Sequence, residues 1–375
     1  GLALRARGKE PEALASFRRA IAAEPRNFEA QNAIAGILLG APDQTDKAET
    51  HIHRALDLNP NYPPALNNLA LLLKSRGQTK MAASEARAAV AQSPRFAPAL
   101  ITLGALLLEL GQTEEAEKSL RDALAVAPND SVAHTHLGVA LNYRGARAQA
   151  EAEFERALEL DPDNSESLNN LALIRSAEGR EEDAADLLRR AAALKPDDAA
   201  LQESLGSVYR RQQKWGDSIT CYRRALDLEP NDLSRAQAFT DSLRGGIFLT
   251  GNAQLWSDLE RCLKIEGINH EPLSAPAARL VRNLQNVIPL VEAALAGEFS
   301  LTATEVQRNE KLAPLCTEFT VLLLARDLML DGPLEILFTA IRRSLLELAV
   351  ASRLPEKLHP STLDFFCVLA WQCFL

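Results

Sequence analysis

Seven prolines, Pro25, Pro60, Pro94, Pro128, Pro162, Pro196 and Pro230, recur at intervals of 35, 34, 34, 34, 34 and 34 residues. A period held that tightly means one supersecondary unit copied in series, each copy burying its apolar face against its neighbours. Numbering the unit Ala97–Asp130 so that Pro128 falls at repeat position 32 places Gly104 at 8, Gly111 at 15, Ala116 at 20, Leu120 at 24 and Ala123 at 27. The next unit puts Gly138, Gly145, Ala150, Phe154, Ala157 and Pro162 in the same slots, and the units starting at Pro63, Ser165 and Ala199 keep the pattern. Each slot has a physical reason. Small residues at 8 and 20 let two antiparallel helices approach, and the larger residue at 24 fills the space beside them. The glycine at 15 stands where the first helix stops and the chain reverses, a place that favours positive φ. Proline at 32 ends the second helix, because it has no N–H to donate and clashes with the preceding turn. The Asn or Asp that follows, as in Asn129-Asp130 and Asn231-Asp232, is suited to cap the next helix.

These slots closely resemble the tetratricopeptide repeat (TPR) family over residues 1–232. The resemblance implies an all-α protein: a right-handed TPR superhelix (α-solenoid) of about seven repeats, followed by an irregular α-helical domain. Two departures are visible. Pro42 and one extra residue near Ala41–Asp46 lengthen the loop of the second unit. Gly1 already occupies position 8, so the first repeat is truncated and the chain reads as a fragment with more protein upstream.

The period stops after Asp232, and residues 233–375 are expected to form a helical capping or linker domain. Candidate helices are Leu233–Arg244, Ala253–Ile265, Ala275–Ala296, Leu315–Leu330, Leu334–Ser352 and Thr362–Leu375, separated by breakers such as Gly267, Gly297 and Asp331-Gly332-Pro333. The stretch Glu318–Leu375, ending Gln372-Cys373-Phe374-Leu375, is similar to the helical segment of bacterial proteins that join TPR repeats to a class I S-adenosylmethionine-dependent methyltransferase. That resemblance implies a catalytic domain beyond Leu375.

Composition narrows the partners. A net charge of −9 argues against nucleic acid, which needs a basic stripe, and against an anionic membrane surface. The apolar run Val321–Leu330 is broken by Arg326 and Asp327, too short to span a membrane. Five cysteines, Cys221, Cys262, Cys316, Cys367 and Cys373, are scattered without C-x-x-C spacing, and read as reduced thiols of a cytoplasmic protein.

Chemistry is sparse. Gly246 and Gly251 have the spacing of a phosphate loop, but Asn252 and Ala253 stand where Lys and Ser/Thr are required. His51/His53 and His134/His136 are two apart, which on a helix points them to different faces rather than to one metal. No catalytic residue, cofactor site or metal site is assigned. The informative slot is position 6, which faces the groove in this family: Ala33, Asn68, Thr102, His136, Asn170 and Ser204. The phrase Leu-Asn-Asn-Leu-Ala occurs at Leu66–Ala70 and Leu168–Ala172 and resembles the asparagine ladder of O-linked N-acetylglucosamine transferases, where amides grip an extended peptide backbone. An amide offers a donor and an acceptor, which matches a peptide unit without reading its side chain. The candidate groove residues are therefore Asn67, Asn68, Thr102, His136, Asn169, Asn170 and Ser204, with ordinary polar surface as the competing role. The basic clamp of chaperone-binding TPRs is not recognisable, and Lys74, Arg210 and Arg211 offer either scattered positive charge or solvated surface. The reading is a protein- or peptide-binding scaffold; the alternative is the recruiting part of a methyltransferase, less readily of a glycosyltransferase or sulfotransferase. The sequence names no partner and sets no oligomeric state.

Overall fold

A computed structural model describes residues 1–5, 7–244, 253–282, 287–302, 305, 308 and 332–350. They divide between two compact units, Gly1–Glu178 and Gly179–Leu375, and all regular structure among them is helical.

The first unit is a series of paired helices: α1 (Leu2–Arg5), α2 (Glu10–Ala23), α3 (Phe28–Leu38), α4 (Thr45–Leu58), α5 (Pro63–Ser75), α6 (Thr79–Gln92), α7 (Ala97–Glu109), α8 (Thr113–Val126), α9 (Ser131–Tyr143), α10 (Arg147–Leu160) and α11 (Ser165–Ala177). Each second helix stops two residues before its periodic proline, at Leu58, Gln92, Val126 and Leu160. The following Asn or Asp then caps the next helix. Asp130 Oδ1 accepts from Ala133 N at 2.9 Å and Asn164 Oδ1 from Ser167 N at 2.9 Å, satisfying donors that a helix start leaves unpaired. Where Tyr62 and Phe96 stand instead, Pro64 and Pro98 lie in the first helical turn, needing no donor partner there. The turn inside each hairpin carries its glycine in the left-handed region: φ is 72° at Gly77 and Gly111 and 80° at Gly145. This lets Gln112 N reach back to Leu107 O at 2.8 Å. The second repeat closes differently, through a 3₁₀ turn over Pro42–Gln44, where the extra residue sits.

Packing inside the hairpins follows the small-against-large rule. A Cβ built on Gly104 would lie 2.5 Å from Leu120 Cγ, and one on Gly138 would lie 2.7 Å from the Phe154 ring. Leu120 and Phe154 are fully buried, so the missing side chain is what allows the helices to close. The same layer is rich in buried alanine, with Ala70, Ala82, Ala86 and Ala116 at 0% exposure. Polar pairs add a second tie between repeats. Arg76 grips Glu49 with Nη1–Oε1 2.7 Å and Nη2–Oε2 2.8 Å, and two repeats later Arg144 meets the buried Glu117 in the equivalent slots. In the intervening repeat both slots are apolar, with Leu110 packed on the cluster that contains Ala83.

The second unit begins with α12 (Glu181–Leu194), α13 (Ala199–Arg211) and α14 (Trp215–Leu228), continues with α15 (Leu233–Leu243), α16 (Ala253–Lys264), α17 (Ser274–Arg282) and α18 (Ile288–Leu295), and includes α19 (Gly332–Val350). The α13–α14 turn has Gln213 where the other turns have glycine, and its φ is 60°. Ser218, the residue opposite Gly206, donates its Oγ–H to Gly206 O at 2.8 Å, so a hydroxyl is accommodated in the small slot without loss. One apolar cluster runs from Ile219, Tyr222 and Leu226 of α14 through Phe239, Leu259 and Leu263 to Leu334, Phe338 and Ile341. Within it Asp258, whose side chain is 3% exposed, takes a bidentate bond from Arg223: Nε–Oδ1 2.9 Å and Nη2–Oδ2 2.7 Å. The single helix expected over Ala275–Ala296 is instead two, α17 and α18. Pro289 is the reason, since its ring suits the first turn of a helix and not its interior. The expected helices Leu315–Leu330 and Thr362–Leu375, the loop residues Gly246, Gly251 and Asn252, Cys316, Cys367, Cys373 and the phrase Gln372–Leu375 lie outside the described residues.

Candidate functional site

The first helices of successive repeats, α3, α5, α7, α9 and α11, lie side by side in the first unit. Burial along each follows the helical period. Positions 3, 4, 7 and 10 are inside, as with Ala133, Leu137 and Ala140, while positions 2, 9 and 13 are turned out, as with Val132 at 48%, Leu173 at 47% and Tyr143 at 67% exposure. Position 6 lies between them and is partly covered.

That slot brings Asn68, Thr102, His136 and Asn170 into one row across four neighbouring helices. Two of the amides are already committed as donors. Asn68 Nδ2 donates to Asn32 Oδ1 at 2.7 Å, on the preceding repeat, and Asn170 Nδ2 donates to Glu166 O at 2.9 Å, one turn back on its own helix. These bonds hold both side chains, and each amide keeps its oxygen and a second N–H for other partners. Thr102 is buried, at 8% exposure. Asn67 and Asn169, one residue earlier, behave differently. Each has its Oδ1 buried without a hydrogen-bond partner, so they face the packing beneath the row. Ser204 is half-buried on α13 in the second unit.

His136 is the titratable member of the row. Its Nδ1 stands 3.8 Å from Glu166 Oε1, and its side chain is 18% exposed. Burial lowers its pKa below the ordinary histidine value, with the Glu166 carboxylate pulling the other way and the Lys74 ammonium adding to the drop. Lys74 is not a loose cation of the groove, because Glu109 Oε1 holds its Nζ at 2.8 Å. Arg211 faces Glu181 at 3.6 Å in the second unit. An open cavity of about 730 Å³ is lined by Gly36 and Leu39, by Gly40 in the turn after α3, and by Leu71 and Ser75 of α5.

His51 and His134 are held by hydrogen bonds inside the fold. His51 Nδ1 donates to Gln31 Oε1 at 2.6 Å, and His134 has Glu153 Oε2 at 2.6 Å from Nδ1 and the Pro128 carbonyl at 3.1 Å from Nε2. Among the described residues no three His, Cys, Asp or Glu side chains are grouped to hold a metal ion. Cys221 and Cys262 are free and buried, and burial pushes both thiols up to about 11, away from nucleophilic use near neutral pH. Sequence reading missed the Asn32–Asn68 bridge and the Lys74–Glu109 pair. A signal existed for the second: Lys at slot 12 and Glu at slot 13 of the next repeat.

Comparison with protein families agrees with this repeat geometry. Five models, each described as tetratricopeptide repeat, match residues 1–63, 54–83 with 153–185, 73–137, 132–164 and 199–232, together more than half of the chain. The chain belongs to the tetratricopeptide repeat family. Among solved structures, this TPR protein is similar to a chain of the APC/C hetero-tetramer Cut9–Hcn1, with a TM-score of 0.59 and 19% identity over 64% of this chain and 47% of that one. PilF of Pseudomonas aeruginosa matches with a TM-score of 0.47 and 23% identity, over 56% of this chain and 97% of its own. YrrB, titled a TPR protein with an unusual peptide-binding site, matches at 0.37 and 19%, over 50% and 96%. At such identities the likeness to the Cut9–Hcn1 chain shows the fold alone, and the chain spans about half of that protein's length. No curated protein matches the sequence. No helix of the described residues is long and apolar enough to cross a membrane.

Proposed function

We infer that the chain is a protein- or peptide-binding scaffold whose site is the outward face of α3, α5, α7, α9 and α11. The observation that carries this reading is the row of position 6. Asn68 and Asn170 are held by internal bonds through one N–H each, beside leucines at position 9, Leu71 at 38% and Leu173 at 47% exposure. Fixed amides next to exposed apolar side chains suit an extended segment, whose backbone peptide groups meet the amides while alternate side chains meet the leucines. Fixing the amides in advance lowers the entropy lost on binding. Asn67 and Asn169 support the row from beneath rather than touching the partner, and Thr102 and His136 complete it. Ser204, the remaining candidate, belongs to the second unit and is not part of this row.

The domain reading places the TPR solenoid at 1–232 and a helical cap at 233–375. It is supported by the apolar cluster that α14 shares with α15, α16 and α19, which covers the face the last repeat would otherwise leave open. The buried free thiols agree with a reducing, cytoplasmic setting.

Selection of extended peptides from a random displayed library, followed by fluorescence anisotropy with the full chain, tests the site. Asn68→Ala with Asn170→Ala is expected to weaken a selected peptide by about tenfold, one or two hydrogen bonds' worth, with a melting temperature close to that of the parent chain. Unchanged affinity in the double variant removes the proposed row. The methyltransferase alternative rests on the phrase ending at Leu375. S-adenosylmethionine binding by this chain alone is expected to be undetectable.

A further inference from the structure

The charge on this face narrows the chemistry of its occupant, provided the face is the binding site read above. Across α3, α5, α7, α9 and α11, the slots 2, 5, 6, 9, 12 and 13 carry three carboxylates, Glu29, Glu109 and Glu166, against one ammonium, Lys74. The ammonium is spent on Glu109 at 2.8 Å. His136 adds no positive charge near neutral pH, being buried enough to lose its proton more easily than usual. A further carboxylate, Asp130, stands at the start of α9, where it caps the helix through Ala133 N at 2.9 Å. Glu29 is exposed and Glu166 half-exposed at 52%, and neither is paired with a lysine or arginine on this face. Between them lie apolar Leu71, Val132 and Leu173, all more than a third exposed.

A face of alternating carboxylates and leucines is not complementary to a second copy of this chain, whose own net charge is −9. Nor does it suit an anionic partner. Packed helices are spaced about 9 Å apart, so the distance from α3, which carries Glu29, to α11, which carries Glu166, is about 36 Å, the length of about eleven extended residues at 3.3 Å each. We propose that this face holds an extended segment of a partner protein in which lysine or arginine side chains alternate with apolar ones, the cations meeting Glu29 and Glu166 and the apolar groups meeting Leu71, Val132 and Leu173.

Three fluorescein-labelled dodecapeptide pools test it against the full chain by anisotropy, at low and at high sodium chloride. In one pool Lys or Arg alternates with Leu, Val or Phe; in the second Asp or Glu replaces the cations; in the third Gln or Ser does. The basic pool is expected to bind most tightly. Glu29→Gln with Glu166→Gln, and raised salt, should each weaken it about fivefold, the scale of two exposed ion pairs. Leu71→Ser with Leu173→Ser should weaken it comparably, while Glu85→Gln with Asp122→Asn, on the second helices α6 and α8, should leave it unchanged. If the neutral or acidic pool binds at least as well and the leucine variant removes that binding, the charge inference fails and the peptide site stands. If neither face variant alters binding of the basic pool, or no pool binds, both readings fail. Self-association that the leucine variant abolishes would assign the face to a second copy and overturn the proposal.

Discussion

The repeats of residues 63–164 and the helices of residues 215–350 solve the same burial problem in opposite ways. In the repeats the core is cut into small clusters, each closed by one large side chain against a glycine or alanine, as Leu120 is against Gly104 and Phe154 against Gly138. In α14 to α19 a single cluster holds Leu, Ile and Phe side chains drawn from every helix described there. The first arrangement is quasi-linear, so each hairpin depends on its neighbours alone. The second is an ordinary core in which many residues stand or fall together. The difference teaches why one region is periodic in sequence and the other is not: identical local contacts require identical slots, whereas a shared core requires only that its volume be filled.

The comparison is most directly broken by removing one large side chain from each region. Phe154→Ala and Phe239→Ala each empty a fully buried site and are expected to cost about 3–5 kcal/mol. Hydrogen exchange should separate them. Loss of protection should stay within α9, α10 and the adjoining helices for the first, and should spread over α14 to α18 for the second. Equal spreading in both would show that the repeats are not quasi-linear. Next in size is Asp258→Ala, which strands Arg223 beside a core and should cost about 3 kcal/mol by denaturant unfolding. Its counterpart in the repeats, Glu117→Ala, removes a carboxylate whose partners Arg121 and Arg144 are 58% and 47% exposed, and should cost about 1 kcal/mol. If the two costs come out alike, burial is not what distinguishes the two ion pairs.

What was legible in the sequence follows the same division. The turn glycines, the terminating prolines and the capping residues Asp130 and Asp232 could be placed from spacing alone, because each answers to a backbone requirement within a few residues. The row at position 6 was legible as a row, but not as chemistry. That Asn68 spends its N–H on Asn32 depends on a helix 36 residues away, and that Asn67 turns inward depends on a rotation of about 100° along the helix. In the aperiodic region, amphipathic spacing found α15, α16 and α19 yet ran α17 and α18 together across Pro289. The Arg223–Asp258 pair bridges 35 residues and leaves no mark on hydrophobic spacing, so nothing short of the fold reveals it.

Smaller changes sharpen the account of the repeats themselves. Gly138→Ala places a Cβ 2.7 Å from an aromatic ring that has no free space to retreat into, and should destabilise by about 1–3 kcal/mol. The companion variant Phe154→Leu, tested on the Gly138→Ala background, should recover part of the loss, since the smaller side chain relieves the clash. At the hairpin turn the sign reverses. Gln213 occupies the left-handed region at φ 60°, where the other turns carry glycine, and Gln213→Gly should raise stability by up to about 1 kcal/mol. A neutral or negative result would mean that the long side chain of Gln213 contributes packing that offsets its backbone strain.

The smallest expected effect is acid sensitivity confined to the first unit. His51 and His136 both have pKa values lowered chiefly by burial, with Arg54 and Arg18 adding to it at His51 and Lys74 at His136. Such a group is more readily protonated when the chain is unfolded, so the unfolded state binds the extra proton. Stability is therefore highest above the unfolded value of about 6.5, falls as pH drops through the window down to the lowered folded values, and levels off below them. Glu49 works in a separate range. Its pKa is lowered by Arg76, so its contribution is present above the ordinary value of 4.5 and is lost only in stronger acid. Melting temperatures taken between pH 7 and pH 5 thus isolate the histidines, and His136→Asn with His51→Asn should flatten the slope. Hydrogen exchange at pH 5 should show the loosening in α4 and α9 with α15 and α16 unaffected, whereas a slope unchanged in the double variant would assign the acid sensitivity to other groups.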